Sequence, residues 1–235
     1  MELTQLAPPP SAGRVFTDQA RAGLGDVAPS GRVRLDAIAR WLQDAAFADL
    51  VDSELPDDGV WVVRRLRLRV ERFPRFREAV AVATWCSGAG SLVAERRSTV
   101  RGDDGGLVEA VALWVHLDPA SGRPRRMPPG FDEVYGPSAN GRRVRSRLRH
   151  RAAPDGVDRV PWRFRAADLD LADHVNNAVY WEAIEEELDL PEPFDGEIEH
   201  RAPADAGDAW LLRAPGMLWI AGGDGDLLAS IALRD

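Results

Sequence analysis

The sequence predicts an α+β chain built twice on one plan, a strand and a single helix followed by antiparallel strands. Three observations carry this: one helical period in each half, period-two strands grouped after each helix, and Gly/Pro turn clusters that punctuate both halves. With 235 residues, 45% apolar and 29% charged, the chain has the make-up of a globular protein that buries a core.

A short extended segment at 14–20 comes first. Leu35, Ile38, Leu42 and Ala45 or Ala46 then recur at spacings of three and four, the mark of a helix with one buried face. Ser30 or Gly31 is its expected start, and Leu55-Pro56-Asp57-Asp58-Gly59 its stop. Leu66, Leu68 and Val70 alternate with Arg65, Arg67 and Arg69, as a half-buried strand requires. Val80, Val82 and Thr84 continue the set, followed by residues 91–100, a GDDGG hairpin at 102–106, and Val111, Leu113 and Val115. From 118 to 154 the pattern dissolves into Pro, Gly and Arg. The plan then repeats: a strand at 162–166, a helix at 174–188, and extended pieces at 197–201, 209–213, 217–221 and 227–233. The units fall at 13–130 and 161–235, joined by a basic linker at 131–160. The two halves share the plan and few residues.

No run approaches the ~20 apolar residues of a membrane helix, and MELTQLAPPPSAGRVF reads as a short loose tail. The single cysteine, Cys86, leaves no internal disulfide and suits a reducing compartment, so the expectation is cytoplasmic. A net charge of −8 argues against a nucleic-acid partner. Lysine is absent, and the arginines clump in RRVRSRLRHR (142–151), which is either a solvated connector or a landing patch for an acidic partner.

A sheet wrapped around one helix, done twice, is the hotdog plan, and three stretches make a likeness specific. WVVRRLRLRVERFPRFREAVAVATW (61–85), ALWVHLDPASGRPRRMP (112–128) and DLDLADHVNNAVY (168–180) resemble the plant and bacterial acyl-acyl carrier protein (ACP) thioesterases, over about residues 13–208. The resemblance implies a double hotdog that releases a fatty acid from acyl-ACP without a cofactor. It also implies that the first unit shapes the acyl pocket, with Leu35, Ile38, Trp41, Leu42 and Phe47 as candidates beside Val175. Core packing explains most of these equally well.

Thioester hydrolysis needs an activated water and a place for the developing oxyanion. His174 is the one nearby side chain that titrates near neutrality, with Asp170 or Asp173 to orient it. The amides at the start of the second helix, around Val175, Asn176 and Asn177, are candidates for the oxyanion. The alternative is that these groups are caps and Asx turns. Spacing alone slightly favours caps. The resemblance favours catalysis for Asp170 and His174, whereas a helix-start role is at least as good for Asn176 and Asn177. Two departures stand out: Ala172 replaces the family's loop asparagine, and Pro203 falls where the family places a carboxylate. Asp205 is a candidate substitute, two residues along a strand and about 7 Å away on the same face. Glu182, Glu185 and Glu186 are further candidates, though a solvated acidic face suits them better.

ACPs are acidic, so Arg142, Arg143, Arg145, Arg147, Arg149 and Arg151 are candidates for ACP contact, with Arg64, Arg65 and Arg67 behind them. No spacing suggests a metal, Cys86 reads as buried structural cysteine, and no role is assigned to His116, His150 or His200. Two other activities stay open, an acyl-CoA thioesterase and a non-catalytic acyl- or ACP-binding protein. A monomer and a homodimer are both compatible.

Overall fold

The computed structural model describes residues 3–56 and 58–234; Met1, Glu2, Asp235 and the Asp57 of the expected helix stop lie outside them. The first half contains β1 (Phe16–Arg21), α1 (Leu35–Asp52), β2 (Val60–Arg72), β3 (Ala79–Ala89), β4 (Val93–Gly102) and β5 (Leu107–Leu117). The second contains β6 (Asp158–Phe164), α3 (Glu182–Glu187), β7 (Phe194–His200), β8 (Gly207–Ala214), β9 (Met217–Gly222) and β10 (Leu227–Leu233), with α2 (Phe131–Ala139) between the halves. The architecture is the α+β double hotdog the sequence predicts. Its two sheets, however, are one: all strands join antiparallel in the order β1-β3-β4-β5-β2-β7-β10-β9-β8-β6.

The seam is β2 against β7, and charge alternation explains it. On one face Leu66 meets Ile198 and Val70 meets Phe194, all buried towards the helices. On the other, Arg65 lies opposite Glu199 (Nε to Oε1 3.2 Å), and Arg67 binds Asp195 through two nitrogens at 2.8 and 2.6 Å. The arginine face is not half solvated as the alternation suggested, since Arg65 and Arg67 are both buried. The expected loose tail covers them: Thr4 N–H donates to Glu197 Oε2 (2.9 Å), and Arg67 donates to the Thr4 carbonyl.

Four further expectations change. Helix α1 starts at Leu35, after a turn in which Gly31 takes φ +80°, instead of at residue 30 or 31. Its first amide is capped from the other half: Glu185 Oε1 accepts the Leu35 N–H at 2.7 Å while the same carboxylate binds Arg32 at 3.0 and 2.6 Å. Glu185 therefore belongs to an interior joint and not to a solvated acidic face. The 131–160 stretch is not all connector, because α2 packs Phe131, Tyr135 and Ala139 against Cys86, Ala89 and Ala94. The second helix is also shorter than the expected 174–188: a 3-10 turn at Val179–Trp181 leads into six residues of α3. Residues 174–178 do not join it, since three of their amides bond elsewhere, that of Ala178 to the Asn176 side chain. Val175 N–H donates to the Ala204 carbonyl and Asn176 N–H to that of Asp168.

No helix among the described residues is long and apolar enough to cross a membrane. The Glu185 joint yields a prediction. Glu185→Ala removes a cap and a forked ion pair, and should lower stability by about 2–4 kcal/mol, read from urea denaturation.

Candidate active site

The loop from Asp168 to Asn177 is built from its own polar side chains. The buried Asp168 carboxylate accepts Arg165 N–H at 2.7 Å and Arg165 Nε–H at 2.9 Å, closing the entry turn. Leu169 then pairs with Val175 across a tight reversal, in which Asp170 N–H donates to the His174 carbonyl (2.9 Å) and Asp173 N–H to that of Asp170 (3.0 Å). Asp173 supplies the left-handed residue, at φ +59°, which aspartate tolerates better than most side chains. The bond from Val175 to Ala204 (2.8 Å) pins the reversal to the segment between β7 and β8.

This geometry sorts the candidates. Asp170 Oδ1 accepts Ala172 N–H at 2.9 Å in an Asx turn, and Oδ2 lies 3.4 Å from Asn176 Nδ2. Asn176 is wholly committed, its Oδ1 accepting Ala178 N–H at 2.9 Å. Neither the carboxamide nor the backbone N–H of Asn177 has a partner among the described residues. The amides of Val175 and Asn176 are occupied and unavailable to an oxyanion, so Asn177 alone of the three predicted residues retains free donors.

Asp170 and Asn177 line a cavity of about 470 Å³ whose other walls come mostly from the first half and α2. Helix α1 contributes Gln43, Phe47 and Leu50, the sheet Trp61, Arg96 and Trp114, and α2 Phe131 and Tyr135. Leu171, fully exposed, stands at the same wall beside Asp170. His174 is not among the lining residues. Its ring is exposed and without a partner among the described residues, and only its carbonyl meets Asp170. Asp205 is exposed in an irregular segment, 201–206, so the shared strand face expected with Pro203 does not exist. Leu35 and Ile38 lie in the core and Trp41 packs against it, none of them lining the cavity. Leu42 lines a second pocket of about 20 Å³ behind it, and Val175 is buried beside Leu169. Of the proposed pocket residues, only Phe47 faces the main cavity. Helical spacing found the buried stripe of α1 but not its continuation one turn on, where Gln43 interrupts the apolar run.

Cys86 lines the cavity, but burial pushes its thiol pKa up and its Sγ bonds to the Gly88 carbonyl, which disfavours a thiolate. Burial likewise drives His200 down to about 3, with the charge of Arg64 adding to it, so its ring stays neutral. His150, Glu197 and Glu199 are buried with ligand atoms within 4.8 Å of one another, a grouping the sequence spacing did not show. Their carboxylates are already served by Arg65 and by the amides of Thr4, Arg149 and His150. Burial raises the Glu197 pKa, but contacts from His150 and Thr4 and the charge of Arg65 outweigh it and hold the group below its ordinary value.

The arginine block runs as a strap beside the sheet, tied by the Arg142 carbonyl to Ala89 N–H (3.0 Å) and by Arg149 N–H to Glu199 (2.7 Å). Arg142 itself pairs with the buried Glu95 and is not free. Arg143, Arg145, Arg147, Arg149 and Arg151 are exposed, with no ion-pair partner among the described residues.

The structure is thus a double hotdog with a carboxylate and a free carboxamide on the wall of a largely apolar cavity. The acyl-ACP thioesterase N-terminal domain model matches residues 13–135 and the C-terminal domain model residues 153–208, so the chain belongs to the acyl-ACP thioesterase family. It is 26% identical over 211 residues to an uncharacterized protein of Mycobacterium tuberculosis, covering 87% of this chain and 84% of that one. A chloroplastic oleoyl-ACP thioesterase of Coriandrum sativum is 24% identical over 136 residues, 52% of this chain and 36% of the plant protein. Two solved structures share the fold. An acyl-ACP thioesterase from Bacteroides thetaiotaomicron superposes with TM-score 0.76 at 17% identity, covering 93% of this chain and 96% of that one. The 12:0-ACP thioesterase of Umbellularia californica gives 0.73 at 18%, covering 93% and 92%.

The two asparagines should separate by experiment. Asn176→Ala breaks an internal turn and should cost about 1 kcal/mol of stability, whereas Asn177→Ala should leave the thermal midpoint within a degree or two.

Proposed function

We propose that the chain hydrolyses an acyl-ACP thioester, releasing the free acid and the carrier thiol. The observation that supports this best is that Asp170 and Asn177 share the wall of the 470 Å³ cavity. With the acyl group in the cavity and the thioester beside the 168–177 loop, Asp170 takes the proton from an attacking water. The carboxamide and amide of Asn177 donate to the oxyanion as the carbonyl carbon becomes tetrahedral. Collapse expels the thiolate, which leaves on the carrier arm. Ala172 N–H and Asn176 hold the Asp170 carboxylate in place. Water activation thus falls to Asp170, and His174 contributes the carbonyl that fixes the reversal. The exposed arginines of the strap supply positive charge for an acidic carrier on a chain whose net charge is −8.

A thiol-trapping assay on acyl-ACP tests the reading. Asp170→Asn should lower kcat at least about 100-fold, and His174→Ala no more than about tenfold. If the histidine variant proves as damaged as the aspartate one, its imidazole takes part in the reaction. Reversing Arg145, Arg147 and Arg149 to glutamate should raise KM for acyl-ACP about tenfold at low salt while leaving KM for acyl-CoA nearly unchanged. An equal response of both substrates would place the carrier elsewhere.

A further inference from the structure

A slot for a plain hydrocarbon chain should be dry and apolar, because covering an unpaired donor with methylenes leaves it without water or partner. This cavity is largely apolar, but polar side chains interrupt its wall. Gln43, on α1, lines it with a carboxamide that has no partner among the described residues. Arg96, on β4, also lines it. Its Nη2 stands 2.6 Å from Asp49 Oδ2, one Nη1–H goes to Thr84 Oγ1 at 3.2 Å, and its Nε–H has no partner among the described residues. The Asp49 pair neutralises the guanidinium charge, and Arg14 Nε holds the other Asp49 oxygen at 2.6 Å. The cavity wall therefore presents spare hydrogen-bond donors here, with the carboxylate of Asp44 also lining it. Gln43, Arg96 and Asn177 all line both the main cavity and the small pocket that adjoins it, so the two donors stand near the residue assigned above to the oxyanion.

Resting on the thioesterase reading above, we infer that the acyl group this site selects carries an oxygen near the thioester, a β-hydroxy or β-keto function. Gln43 and Arg96 donate to it. They are specificity residues, distinct from Asp170 and Asn177 at the reacting carbon. A site that hydrogen-bonds a substrate oxygen discriminates strongly against the analogue that lacks it, because its own donors are then left unpaired.

The test uses amide analogues of decanoyl- and β-hydroxydecanoyl-pantetheine, which cannot be hydrolysed, together with the matching acyl-ACP thioesters. The hydroxylated analogue should bind at least about tenfold tighter, and kcat/KM should favour the hydroxylated thioester to a similar extent. Gln43→Leu should cut both ratios several-fold. Arg96→Lys keeps a charge for Asp49 but loses the planar fork, and should do the same with an unchanged thermal midpoint. Tighter binding of the hydroxylated amide without turnover of either thioester would overturn the hydrolase and leave this inference standing. Equal or weaker binding of the hydroxylated amide overturns the inference whatever the turnover.

Discussion

The pairing of β2 with β7 is the constraint on which everything else rests. It joins two units into one sheet, and it places alternating arginines of one half against the carboxylates of the other. Buried ion pairs add little net stability over apolar neighbours, but stripping one partner strands a charge at a cost of about 3–5 kcal/mol. Their effect is therefore to fix the register. A slip of one residue would swing Arg65 and Arg67 onto the face that holds Leu66, Leu68 and Ile198. The N-terminal residues and the arginine strap then lie over that charged seam and shield it from water. The Glu185 cap of α1 repeats the same logic on the helix side.

With the two halves locked in register, the 168–177 loop reaches a cavity it did not build. The loop contributes Asp170, Leu171 and Asn177, and nearly all the remaining walls come from α1, α2 and the first-half strands. The loop satisfies most of its own polar groups beside this largely apolar cavity. Asp168, Asp170 and Asn176 satisfy backbone amides, and only Asn177 is held in reserve.

Much of the fold was legible because it obeys simple periods. The alternation Leu66-Leu68-Val70 and the stripe Leu35-Ile38-Leu42 place a strand and a helix without any structure. What misled was tertiary competition for backbone amides. Residues 174–178 have a helical pattern, yet Val175 and Asn176 give their N–H groups to Ala204 and Asp168, and the helix is lost. The burial of Arg65 and Arg67 was illegible for another reason: their carboxylate partners are more than a hundred residues away, and a strand's polar face does not announce what will cover it. The loop itself was readable from DLDLADHVNN. Which of its side chains turns inwards was not, because a reversal at Asp173 aims neighbours in opposite directions.

The division of the cavity between the halves has an evolutionary consequence. On the reading proposed above, Gln43, Phe47 and Arg96 come from α1 and β4, whereas Asp170 and Asn177 belong to a loop that follows β5 and the strap. Substitutions in the first set would then change the preferred substrate while the reacting loop stays untouched. Such a chain can diversify its diet by local drift, with its chemistry inherited intact.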